Sequence, residues 1–155
     1  MIQIRQGLFE TNSSSVNTLV IPKDTRIIIP KKVSLVYDNY SNWTFRKHTD
    51  TLNYAYSMCV DMGDPEILLF LHYLRRKGVE EIETHPNTGI DEWDIPFDDT
   101  DIPLRKIFGS EQVLDLFCFG SESIAYEGND NDMDNLSKFD KDNYDLDKFH
   151  VIELF

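Results

Sequence analysis

The sequence predicts an α+β fold, in which residues 1–155 form a single domain with a mostly antiparallel sheet and two helices packed on it. Three observations lead to this prediction. Short β-branched runs separated by prolines occupy the first 37 residues. Apolar residues then recur at helical spacing over residues 49–78. Hydrophobic residues make up 41% of the chain and aromatic residues 12%, so the chain can bury a core.

The first strands are predicted from short apolar runs. Residues 2–9 alternate apolar and polar side chains, which favours a strand or an extended arm, and a polar turn follows at residues 11–15. Thr18–Ile21, Arg26–Ile29 and Val33–Tyr37 are rich in β-branched residues. This spacing is typical of a small antiparallel sheet.

The two helices are predicted at about residues 49–62 and 64–78. Asp64 suits the N-cap of the second helix, Pro65 suits its first position, and Gly78 suits its end. The apolar positions expected in the core are Leu52, Tyr56, Cys59, Val60 and Met62 in the first helix, and Ile67, Leu68, Leu71 and Leu74 in the second, with Phe70 and Tyr73 widening that face.

The second half of the chain contains weaker signals. Its predicted elements are a strand at Val79–Thr84, a turn at 86–89, an acidic loop at 91–101, one or two helical turns at 103–108, a strand at 123–126, a loop at 128–135 and a terminal strand at 150–155. Residues 112–119 suit either a buried helix or a core strand, and Ser110 followed by Glu111 favours a helix start.

The net charge is confined to the C-terminal part of the chain. Residues 1–90 are charge-neutral, whereas residues 91–155 are strongly acidic and carry the whole formal charge of −13. Such a surface repels nucleic acid and anionic membranes and attracts basic surfaces or cations. The alternative is that these carboxylates only keep the protein in solution. The candidate residues for binding a basic partner are Asp91, Glu92, Asp94, Asp98, Asp99, Asp101, Asp130, Asp132, Asp134, Asp140, Asp142, Asp145 and Asp147.

The strongest metal-like pattern is the spacing of Asp130, Asp132 and Asp134, which matches the opening of a calcium loop. An EF-hand also needs Gly at the sixth position and Glu at the twelfth, where this chain has Asn135 and Lys141. The three aspartates are therefore weak candidates for a divalent ion, and a solvated acidic turn is the alternative. The sequence contains no phosphate-binding or nucleophile motif, and no cofactor or catalytic residue is predicted.

Cys59 and Cys118 each lie in an apolar run, which predicts two buried, reduced thiols. The chain contains no apolar run long enough to span a bilayer and no signal-peptide pattern at its start. We therefore expect a cytoplasmic protein that does not bind a membrane.

One tract near the N-terminus is specific as a string: Gly7-Leu8-Phe9-Glu10-Thr11-Asn12-Ser13-Ser14-Ser15. It resembles the N-terminal signature of a group of small uncharacterised proteins from phages and prophages of Gram-positive bacteria. Asn17 stands where that group has His. The resemblance implies a phage origin, and hence a bacterial host cell as the location, and it implies no activity.

These observations favour a non-enzymatic acidic phage protein that binds a basic site of a host protein, for example as a nucleic-acid mimic that inhibits a host defence or DNA-binding factor. The alternative is a small nucleotide- or phosphate-binding protein, or a hydrolase, that uses the loop Glu10–Ser15 with a divalent ion at Asp130 and Asp132. A virion or assembly protein is a third reading, and it follows only from the implied origin.

Overall fold

The computed structural model describes residues 17–37, 44–45, 48–89, 102–122, 124–126 and 145–154. The elements follow the chain in the order β1 (Asn17–Pro22), β2 (Lys32–Val36), β3 (Thr44–Phe45), α1 (His48–Met62), α2 (Asp64–Lys77), β4 (Glu81–His85), α3 (Arg105–Phe108), α4 (Glu111–Phe119), β5 (Ile124–Tyr126) and β6 (Phe149–Leu154). Helices and two small sheets therefore coexist, as the α+β prediction requires. The predicted arm at 2–9 and the acidic loops at 91–101 and 128–135 lie outside the described residues.

The larger sheet is antiparallel and has the strand order β3-β5-β1-β6. In it, β1 lies between β5 and β6, with Leu19 opposite Tyr126 on one side and opposite Ile152 on the other. The two-residue strand β3 adds to the edge of β5 and was not predicted from the sequence.

The smaller sheet is parallel and consists of β2 and β4, with Val33 opposite Ile82. The expectation that the β-branched segments share one mostly antiparallel sheet is therefore only partly correct. Parallel neighbours need a long crossover connection, and α1 and α2 lie in the connection between β2 and β4.

The prediction of a strand over Arg26–Ile29 is wrong in extent, because this segment forms only an isolated bridge between Ile27 and Gly120. Its backbone bonds run to the end of α4 instead of to a strand. The Ile28 N–H donates to the Phe119 carbonyl at 2.9 Å, and the Ser121 N–H donates to the Arg26 carbonyl at 2.9 Å. Residues 25–28, here called the strap, therefore hold the C-terminus of α4.

The two long helices begin and end close to where the sequence predicts. Gly78 ends α2 in the left-handed conformation, with φ at 114°. The Gly78 N–H donates to the Arg75 carbonyl and the Val79 N–H donates to the Leu74 carbonyl, which is the pattern of a Schellman motif. The prediction that Asp64 is the N-cap is wrong, because Asp64 is the first residue of the helix. Gly63 is the N-cap, with φ at 118°, because only one residue separates α2 from the end of α1.

Helix α1 lies at the centre of the core. Most of the predicted apolar face is buried or half-buried, but Met62, at the end of the helix, is 38% exposed. Tyr54, Ala55 and Met58, which lie on other sides of the helix, are buried as well. Helix α1 contacts α2, α4, β2 and β3, so it buries residues on several sides and not only on the single apolar face that the sequence predicts. Residues 112–119 belong to a helix and not to a strand, because the Ser110 hydroxyl accepts the Val113 N–H at 3.3 Å and caps α4.

Candidate functional site

The structure places two of the candidate partner-binding residues, Asp145 and Asp147, in the turn that precedes β6. Both are exposed, as the proposed contact with a partner requires. The signature loop Glu10–Ser15 lies outside the described residues. So do the remaining candidates: Asp91, Glu92, Asp94, Asp98, Asp99, Asp101, Asp130, Asp132, Asp134, Asp140 and Asp142.

Hydrogen bonds hold the turn of residues 145–148 in one shape. The Asp145 carboxylate accepts the Asp147 N–H at 2.9 Å, which is the usual way in which an aspartate stabilises a turn. The Asp145 carbonyl accepts the N–H groups of Lys148 at 2.9 Å and Phe149 at 3.0 Å. Leu146, between the two carboxylates, is 54% exposed. The turn therefore presents two carboxylates and one apolar side chain to solvent.

Lys23, directly after β1, anchors this turn to the antiparallel sheet. Its N–H donates to the Lys148 carbonyl at 2.9 Å, and its Nζ donates to the Leu146 carbonyl at 2.7 Å. Burial and the nearby Lys23 ammonium lower the pKa of His150. The imidazole at the start of β6 is therefore neutral at pH 7 and adds no positive charge beside the acidic turn.

Two other carboxylates of the acidic part point into the fold. Glu111 and Asp115 lie four residues apart on α4 and face the basic end of α2. Glu111 pairs with the Arg76 Nη2 and the Lys77 Nζ, each at 2.9 Å, and Asp115 pairs with the Lys77 Nζ at 2.8 Å. We call these four residues the α2–α4 ion cluster. It neutralises two acidic residues of the C-terminal part with two basic residues of the N-terminal part.

The pKa values of this cluster follow from its geometry. Burial acts against the charged form of Glu111, but hydrogen bonds from Lys77 and Arg76 outweigh it and lower the pKa of this carboxyl. Burial likewise opposes the charge on Lys77, and hydrogen bonds to Asp115 and Glu111 raise its pKa nevertheless. Glu111 and Lys77 are thus both ionised at pH 7, which supports a structural role for the cluster.

Tyr73 extends the cluster into the core. Its hydroxyl donates to the Asp115 Oδ1 at 2.6 Å, and its side chain is fully buried. Burial, chiefly, and then the neighbouring Cys118 and Asp115 raise the pKa of Tyr73, so the phenol stays protonated and donates. The Tyr73 ring also stacks with the rings of Phe70 and Phe119, with centroid distances of 6.1 and 6.0 Å.

Three nucleophilic side chains, Cys59, Cys118 and Ser57, are buried in the core. Cys59 and Cys118 are free and fully buried, as their apolar flanks predict, and burial raises the pKa of both thiols. A protonated, buried thiol is a poor nucleophile. The Ser57 hydroxyl donates to the Asn53 carbonyl at 2.7 Å. Within the described ranges, no group of three or more His, Cys, Asp or Glu residues is placed to hold a metal ion.

Sequence reasoning missed the α2–α4 ion cluster, although both halves of it are visible in the sequence. Arg75, Arg76 and Lys77 end one helix, and Glu111 and Asp115 share one face of another. The fold brings the two together through side chains that reach from the end of α2 to α4. Among the helices that the structure describes, none is long and apolar enough to cross a membrane.

Comparison of the chain with protein-family models, curated proteins and solved structures finds no match. The resemblance of Gly7–Ser15 to phage proteins therefore stays a prediction from the sequence. Function has to be inferred from the charge of this chain and from the placement of its own residues.

Proposed function

We propose that this protein is a non-enzymatic binding protein whose acidic C-terminal part occupies a basic site on a partner protein. The observation that carries the proposal is the confinement of the formal charge of −13 to residues 91–155. Carboxylates on one surface attract an arginine- or lysine-rich site over a Debye length of about 8–10 Å. They therefore raise the association rate and favour basic partners over others.

The pairing of the described carboxylates supports this proposal. Glu111 and Asp115, which the fold neutralises with Arg76 and Lys77, are not among the candidate contact residues. Asp145 and Asp147, which are candidates, are exposed. Asp145 and Asp147 thus differ from the carboxylates that pair with the end of α2.

Nucleic-acid mimicry is the form of binding that we propose. DNA presents a row of phosphates, and a protein that binds it releases counterions when its basic groups meet those charges. Aspartate-rich segments such as 91–101 and 130–134 offer carboxylates to the same basic groups. In line with the resemblance to phage proteins, we propose that the partner is a DNA-binding or defence factor of a bacterial host, and that the protein acts in the host cytoplasm.

The test is capture from a bacterial lysate, followed by measurement with the purified partner. Association rates are measured between about 50 and 500 mM salt for the wild type and for variants in which one cluster is neutralised. The first variant carries Asp98→Asn, Asp99→Asn and Asp101→Asn, and the second carries Asp130→Asn, Asp132→Asn and Asp134→Asn. Mimicry predicts slower association and a weaker salt dependence in at least one of them, together with displacement of DNA from the partner.

The matched control removes the same number of charges elsewhere. Glu80, Glu81 and Glu83 are exposed residues in and beside β4, in the charge-neutral part of the chain. Their exchange for Gln should leave the association rate unchanged within about twofold, although Lys32 loses its exposed pairs with Glu81 and Glu83. An equal fall in the association rate of the control and of both test variants would show a nonspecific effect of net charge and would contradict a defined acidic site.

Binding that does not respond to salt or to either exchange would refute the proposal, because an electrostatic interface must weaken as the Debye length shortens. A rise in melting temperature on adding Mg²⁺, Ca²⁺ or inorganic phosphate would instead favour the ligand-binding alternative. That rise should disappear when Asp130 and Asp132 are exchanged for Asn.

A further inference from the structure

We draw no further inference here: the strongest candidate, the exposed Leu146 between Asp145 and Asp147 in the turn that precedes β6, is one apolar side chain in a small acidic patch, and nothing in the described structure shows what covers it.

Discussion

Replacing Gly120 with alanine should destabilise the protein strongly, because the chain approaches itself very closely at this position. Gly120 follows α4 and forms the bridge to Ile27 of the strap. A Cβ added there would lie 2.3 Å from the Leu116 carbonyl oxygen and 2.9 Å from the Thr25 Cγ2. The backbone of Gly120 is extended, with φ at −67°, so alanine is not excluded by its dihedral angles. The predicted cost therefore comes from the clash alone.

The size of the effect follows from what must move. Ordinary van der Waals contact begins at about 3.4 Å, so the Leu116 oxygen and the new Cβ must separate by about 1 Å. The Gly120 N–H donates to that same oxygen at 3.1 Å, and this bond lengthens when the two groups part. Overpacking costs about 1–3 kcal/mol and a weakened hydrogen bond about 1 kcal/mol. We expect the free energy of unfolding to fall by about 2–4 kcal/mol.

Thermal unfolding followed by circular dichroism measures this change. For a chain of this length, 1 kcal/mol corresponds to about 2–4 °C, so the melting temperature should fall by about 4–16 °C. Thr25→Ser in the Gly120→Ala background removes the Cγ2 contact. It also keeps the hydroxyl at position 25 that forms hydrogen bonds with the Ser121 hydroxyl and the Glu122 N–H. This second change should restore only a minor part of the stability, because the carbonyl clash remains.

A melting temperature of the Gly120→Ala variant within about 2 °C of the wild type would refute the close approach. Full recovery in the double variant would locate the strain at the Thr25 methyl group and not at the backbone. Thr25→Ser alone is the matched control, and its melting temperature should stay close to that of the wild type.

Three further outcomes test the core and the α2–α4 ion cluster. Asp115→Ala should lower the free energy of unfolding by about 2–4 kcal/mol, because the buried Tyr73 hydroxyl loses its acceptor and Lys77 loses an ion pair. Asp115→Asn keeps an acceptor oxygen and should therefore lower the free energy of unfolding by less. Equal losses in the two variants would contradict this account. Because the pKa of Glu111 is lowered, its carboxylate contributes stability above the unfolded pKa of about 4.3 and loses this contribution as the pH falls through the folded pKa. The difference in unfolding free energy between the wild type and Glu111→Gln should therefore shrink from pH 7 to pH 3. A difference that stays constant over this range would contradict the stabilising role of the Glu111 carboxylate. Thiol titration should find Cys59 and Cys118 slow to react in the native protein and both reactive after denaturation without reductant. Finding no reactive thiol after denaturation would instead reveal a disulfide.

The acidic character of the C-terminal part is a property of the sequence, but its division into two kinds of carboxylate depends on the fold. Glu111 and Asp115 lie on α4, and the fold places them against Arg76 and Lys77 at the end of α2. Asp145, in contrast, lies in a turn at the sheet edge and stays exposed. A count of charges treats all these groups alike, because it contains no information on which helix faces which.

Features that depend on a few consecutive residues were determined by the sequence alone. Gly78 ends α2 because glycine enters the left-handed conformation at little cost. Ser110 favoured the start of α4 because its hydroxyl reaches the N–H three residues on, although the apolar run after it also suited a strand. The tertiary structure alone decided the parallel pairing of β2 with β4, the bonding of the strap to α4 and the burial of α1 on several sides. These features join residues that are far apart in the chain, and several pairings satisfy the same local pattern. Only the packing of all elements around one core selects among those pairings.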